Sequence, residues 1–132
     1  MKVLIVEDDA VSRKMIEMLI KPFTENCDLA KDGQIALDFF TQAIGAESFY
    51  DLVLLDIMLP KMDVQTLLRK FRNLEEGINL YGSKGCRIIM VSALSAAGNV
   101  MEAFKNQCDG YLTKPYNKNN LISELEKLEL LT

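Results

Sequence analysis

Three apolar runs of strand length constrain the fold more than any other feature: Val3-Leu4-Ile5-Val6, Leu52-Val53-Leu54-Leu55 and Ile88-Ile89-Met90-Val91. None alternates apolar with polar as a half-exposed strand does, so each must be covered on both faces, as strands of parallel sheets are. Each also stops abruptly on polar residues: Glu7-Asp8-Asp9, Asp56 and Ser92. Shorter candidate strands lie at 27–30 and 110–113.

Helical periodicities separate the runs. Val11, Met15, Ile16, Leu19 and Ile20 follow i, i+4 spacing, with Asp9 as N-cap and Pro22 as the stop. The same spacing recurs at 33–44, 64–74, 96–107 and 118–130, the last through Leu121, Ile122, Leu125 and Leu128. A strand followed by a helix, five times over, implies right-handed crossovers and an α/β architecture with helices on both faces of the sheet. One stretch, 75–86 with Gly77, Gly82 and Gly85, exceeds the usual connection of about 2 to 6 residues and reads as an elaborated loop.

Composition narrows the chemistry. The 132 residues fit one domain, with no output domain expected beside it. A net charge of -4 argues against a nucleic-acid surface, and no apolar stretch reaches the roughly 18 residues of a membrane span. Cys27, Cys86 and Cys108 are odd in number and lack CxxC spacing, which suits reduced thiols in the cytoplasm. There is no histidine, which removes imidazole bases, histidine-containing zinc sites and any phosphohistidine on this chain. Carboxylates, hydroxyls and lysine must carry the chemistry.

In an open parallel sheet, residues just after the strands gather along one edge. Here they are Glu7, Asp8, Asp56, Ser92 and Lys114. Carboxylates about 4 Å apart repel by roughly 4 kcal/mol per pair at an effective dielectric near 20, so the cluster calls for positive charge. Lys114 supplies one charge, and a hard, oxygen-preferring divalent ion supplies the rest. Mg2+ fits best, with Mn2+ as a substitute. An ion, a lysine, a hydroxyl and a carboxylate are the equipment for phosphoryl transfer onto the carboxylate, giving an aspartyl phosphate.

With those residues in place, the chain resembles a response regulator receiver domain of two-component signalling, CheY-like, over nearly its whole length. VLIVEDD resembles the family's acidic cluster and LVLLDIMLPKMD its phosphoacceptor strand and loop. VSA resembles its switch hydroxyl, and GYLTKP its switch aromatic and lysine. The resemblance implies a doubly wound, flavodoxin-like (βα)5 fold with strand order 2-1-3-4-5. It makes Asp56 the phosphoacceptor and a metal ligand, Asp8 a direct Mg2+ ligand, Glu7 a ligand through water and Met58 a ligand through its backbone carbonyl; Asp9 receives no metal role. Lys114 would bind the phosphoryl group, with a Lys114-Pro115 bond that is often cis in relatives. Ser92 would hydrogen-bond the phosphoryl oxygen and Tyr111 would swing in behind it, altering the face made by the fourth helix, fifth strand and fifth helix. Val11, Met15 and their neighbours would dock the phosphodonor, a histidine kinase or histidine phosphotransfer protein. The downstream protein is unknown, and the chain is expected as a monomer or a phosphorylation-dependent dimer, free of nucleic acid and membrane.

Departures and rivals also follow from the residues. Val64 stands where the family usually has glycine, so the loop before it is expected to be reshaped. A haloacid dehalogenase-like phosphatase would need its nucleophilic Asp where this chain has Glu7. A receiver-like binding module that is never phosphorylated is the other alternative. The resemblance also ties phosphoryl lifetime to Met58 and Leu94; both are apolar and neither can orient an attacking water. Replacing both with polar residues should speed loss of the phosphoryl group, followed by intact mass over time, and an unchanged decay rate would contradict this.

Overall fold

The computed structural model describes residues 1–57, 59, 63–80, 85–93 and 108–131. Five strands form one parallel sheet: β1 (Lys2–Val6), β2 (Asn26–Ala30), β3 (Leu52–Asp56), β4 (Arg87–Ala93) and β5 (Gly110–Lys114). Their order is β2-β1-β3-β4-β5, the expected 2-1-3-4-5, and every pairing is parallel. Four α-helices are described: α1 (Ala10–Ile20), α2 (Gly33–Gly45), α3 (Val64–Glu76) and a C-terminal helix (Lys118–Lys127). The helix expected at 96–107 lies outside the described residues, as do Met58 and Leu94.

The apolar runs behave as strands covered on both sides. Leu4, Val6, Val53, Leu55, Ile88 and Met90 pack with Ala36, Phe40, Leu67, Leu68 and Phe71 from α2 and α3. The alternate residues Val3, Ile5, Leu52, Leu54, Ile89 and Val91 pack with Ile16, Ile20, Leu121 and Leu125 from α1 and the C-terminal helix. On the first face Phe40 stacks on Phe71, with ring centroids 4.3 Å apart.

Short polar side chains start every described α-helix. Asp9, Asp32, Asp63 and Asn117 each accept a hydrogen bond from a backbone N–H three residues on, satisfying a donor that the first turn leaves orphaned. Pro22 ends α1 as expected, within a short 3-10 turn at Lys21–Phe23. Val64 is the first residue of α3 and is buried in the core, so the valine side chain packs there. The reshaping expected just before it falls on residues 60–62, outside the described ones.

The long connection after α3 is tied down at the edge of the sheet where the strands begin. Glu75, 3% exposed, accepts the Cys86 N–H at 2.6 Å through Oε2 and the Arg72 guanidinium at 2.9 Å through Oε1. Arg72 also donates to the Cys86 carbonyl at 2.9 Å and to Asp109 at 3.1 Å, and Asp109 accepts the Ile88 N–H at 2.9 Å. A Cβ at Gly85 would meet Glu75 Oε1 at 2.9 Å, so glycine lets the chain pass over this carboxylate. Burial and the charge of Glu75 push the Cys86 thiol well above its usual range, which keeps it protonated and unreactive.

Glu75→Ala would strip the buried Cys86 N–H of its acceptor, at a cost of about 2 kcal/mol. Urea unfolding should report that loss. Lys14→Ala, which removes a largely exposed partner of Glu17, should leave the midpoint nearly unmoved.

Candidate functional site

Register decides which residues meet at the other edge. Val6 lies beside Leu55, Asp56 beside Val91, Ser92 beside Thr113 and Ala93 beside Lys114. The strands therefore run out together, and the polar residues at their ends converge. Carboxylate oxygens of Glu7, Asp8 and Asp56 lie within 4.8 Å of one another. Lys114 Nζ sits 3.3 Å from Asp56 Oδ2 and 3.4 Å from Glu7 Oε1.

The environments of the acids differ. Glu7 and Asp56 are 1% and 4% exposed, whereas Asp8 is exposed. Asp9, the third acid of the turn, accepts the Ser12 N–H at 2.8 Å and caps α1, which explains why it takes no part in the cluster. Burial pushes the Glu7 carboxyl up to about 8, helped by the neighbouring Asp56 carboxylate, while Lys114 pulls the other way. Burial alone would lower Lys114, but the charges of Asp56 and Glu7 outweigh it and hold the ammonium above its ordinary value.

Ser92, 1% exposed, shares a hydrogen bond with the Tyr111 hydroxyl. Tyr111 thus lies against Ser92. Its backbone N–H donates to Glu124 Oε1 at 2.9 Å, which fastens the strand to the C-terminal helix. The Lys114-Pro115 peptide is cis. On α1, Val11, Met15 and Met18 are exposed while Ile16 and Ile20 are buried, so the first three do not serve the core. Met15 also lines a groove of about 340 Å³ with Ser12, Lys114, Pro115 and Tyr116.

Two residues near the acids escaped the sequence reading. Arg13 Nη1 donates to the backbone carbonyls of Glu7, at 2.9 Å, and Asp8, at 3.3 Å. Tyr116 has its hydroxyl pushed up to about 12 by burial and by the charges of Glu7 and Asp56. For Arg13 the available signal was its place one turn into the helix that the acids precede. For Tyr116 there was only its adjacency to Lys114-Pro115.

The model of the response regulator receiver domain matches residues 3–126. The chain belongs to the response regulator receiver domain family. It is 33% identical over 127 residues to the regulatory protein VanRB of Enterococcus faecalis, covering 96% of this chain and 51% of that protein. It is also 31% identical over 126 residues to hybrid signal transduction histidine kinase M of Dictyostelium discoideum, covering 96% of this chain and 5% of the kinase. A solved receiver domain of a Pseudomonas aeruginosa sensor histidine kinase, which has a magnesium ion coordinated in its active-site cleft, superposes with a TM-score of 0.76 at 25% identity. That match covers 96% of this chain and 95% of that one. The chain spans about half the length of VanRB.

Receiver domains are the signalling partners of histidine kinases in two-component systems, and this one is a signalling domain, not a classical enzyme. The haloacid dehalogenase-like alternative finds no support. Among the described residues, no helix is long and apolar enough to cross a membrane.

The raised Glu7 carboxyl has a consequence for stability in metal-free buffer. Between its ordinary value of 4.5 and about 8, folded Glu7 keeps a proton that the unfolded chain has released. Its contribution is therefore fully present below 4.5 and lost as pH rises through 8. Denaturant midpoints with chelator present should show wild type falling behind Glu7→Gln progressively across that window and by a constant margin above it. Parallel curves would remove the pH effect from Glu7.

Proposed function

We propose that this receiver takes a phosphoryl group from a histidine kinase or histidine phosphotransfer protein onto Asp56, and that the change is passed through Ser92 and Tyr111 to the surface around β5 and the C-terminal helix. The observation that carries the reading is the Asp56 carboxylate, buried at the end of a central strand, with Lys114 Nζ at 3.3 Å and two further carboxylates within 4.8 Å.

The donor set fits a divalent cation. It is all oxygen, it sets three carboxyl groups beside the single ammonium of Lys114, and among the described residues Glu7 Oε2 is buried with no hydrogen-bond partner. Asp8 and Asp56 would hold Mg2+ directly, with Glu7 acting through water. The Met58 carbonyl, outside the described residues, belongs to the same proposal. When bound, the ion would neutralise oxygens of the incoming phosphoryl group.

The chain's own residues do the rest. An Asp56 oxygen attacks phosphorus as the bond from phosphorus to the donor's imidazole nitrogen breaks, and the bonding pair leaves on that nitrogen. Lys114, kept protonated by its neighbours, moves its charge from the carboxylate to the new phosphoryl oxygens. Ser92 donates its hydroxyl to one of them, keeping Tyr111 as its partner on the other side. Val11, Met15 and Met18 form an apolar stripe on α1 beside the Lys114 groove, which suits docking of the donor. The catalysis is confined to the domain's own phosphorylation and slow autodephosphorylation. The same reading places the receiver in the cytoplasm, monomeric or dimerising when phosphorylated.

Intact mass after incubation with MgCl2 and acetyl phosphate tests the assignment. Wild type should gain one phosphoryl group; Asp56→Asn should gain none, and Lys114→Ala should gain it more slowly. Equal labelling of wild type and Asp56→Asn would move the acceptor elsewhere. No labelling of either, from acetyl phosphate or from a phosphorylated donor, would favour the unphosphorylated binding module.

A further inference from the structure

The turn from β1 to α1 sets three consecutive acids to different tasks, and its backbone must be fixed for them to hold their places. Glu7 is anchored by its N–H, which donates to the Ala30 carbonyl at 3.0 Å. Asp9 is anchored by its cap on Ser12 and by its carbonyl, which accepts the Arg13 N–H at 2.9 Å. Asp8 lies between them, exposed, yet it is the acid the cation reading needs most. Arg13 closes this gap. Its Nη1 is shared between two consecutive carbonyls, those of Glu7 and Asp8.

We propose that Arg13 is a positioning residue for the cation site: by tying the Glu7 and Asp8 carbonyls to α1, it sets the direction in which both carboxylates leave the chain. The inference rests on the reading of the acidic cluster as a divalent-cation site. It makes Arg13 act against its own charge. A guanidinium this close to the cluster disfavours a second cation by simple Coulomb repulsion, so removing it would tighten cation binding if charge were all that mattered. If position governs, removing it weakens binding, by roughly the tenfold typical of side chains that orient metal ligands. The two effects have opposite signs, which makes the outcome decisive.

The measurement is calorimetric titration of MgCl2 into purified, metal-free protein, which needs no phosphorylation. Arg13→Met keeps an unbranched apolar stem and removes the guanidinium, with its N–H donors and its charge. Its Mg2+ affinity should fall roughly tenfold, while its metal-free melting midpoint stays near that of wild type. Arg13→Lys restores a cation with several donors and should recover most of the affinity. Tighter or unchanged binding in Arg13→Met overturns the inference, and so does failure of lysine to rescue while the protein remains folded. If Arg13→Met proves unfolded, Arg13→Gln carries the same comparison. Wild type that takes up no Mg2+ overturns the cation reading itself, with this inference falling after it. Wild type that binds and loses binding with Asp8→Asn leaves that reading standing, whatever Arg13 does.

Discussion

Like charge forced together at the ends of parallel strands is the constraint on which this structure turns. Pairing β1 with β3 in the register Val6 to Leu55 leaves Glu7 and Asp56 no room to separate, and Asp8 follows from the same turn. At about 4.8 Å and an effective dielectric near 20, each pair of ionised carboxylates repels by roughly 3 kcal/mol. The fold tolerates this by keeping a proton on Glu7 and by leaning Lys114 across both buried acids. A site arranged this way is stabilised by an added cation. The same excess of negative charge would resist an incoming phosphoryl group, so on the proposed reading cation and phosphoryl binding would be coupled by electrostatics before any chemistry takes place.

The opposite edge of the sheet shows what a buried polar cluster looks like when its partners are supplied. Glu75 is as deeply buried as Asp56, and both its oxygens are engaged, by Arg72 and the Cys86 N–H. Arg72 and Asp109 then join the ends of α3, β4 and β5 into one network. Nothing in that arrangement asks for a ligand. One edge is therefore a satisfied anchor, and the other is left short of positive charge.

Much of this was legible in the sequence, and the reason is specific. Runs such as Leu52 to Leu55 report burial on both faces, which fixes the parallel sheet; the sheet then fixes that Glu7, Asp8, Asp56, Ser92 and Lys114 share an edge. The site followed from the topology, and the topology from the apolar pattern. What stayed hidden depends on polar side chains reaching over distances that periodicity does not encode. Glu75 read as part of an elaborated loop, because its partners Cys86 and Arg72 are chosen by how the chain returns. Nothing in the spacing marks Arg13, because its use lies in two backbone carbonyls. Periodicity also grouped Val11 and Met15 with Ile16 and Ile20, although only the latter pair faces the core.

The contact between Ser92 and Tyr111 narrows how a switch built on this site would operate. A serine hydroxyl has one proton to give and two lone pairs to receive. In its bond with Tyr111, either hydroxyl can be the donor. An anion placed on the other side of Ser92 takes the serine proton, and Tyr111 must then donate to Ser92. The phosphoryl group would thus favour one direction of that bond, running from Tyr111 through Ser92 to the anion. Because the Tyr111 backbone is held by Glu124, and Glu124 pairs with Lys127, any tightening at the ring bears directly on the C-terminal helix. Because Tyr111 already lies against Ser92, a switch through this pair, as proposed, would act on the strength and direction of a bond already made.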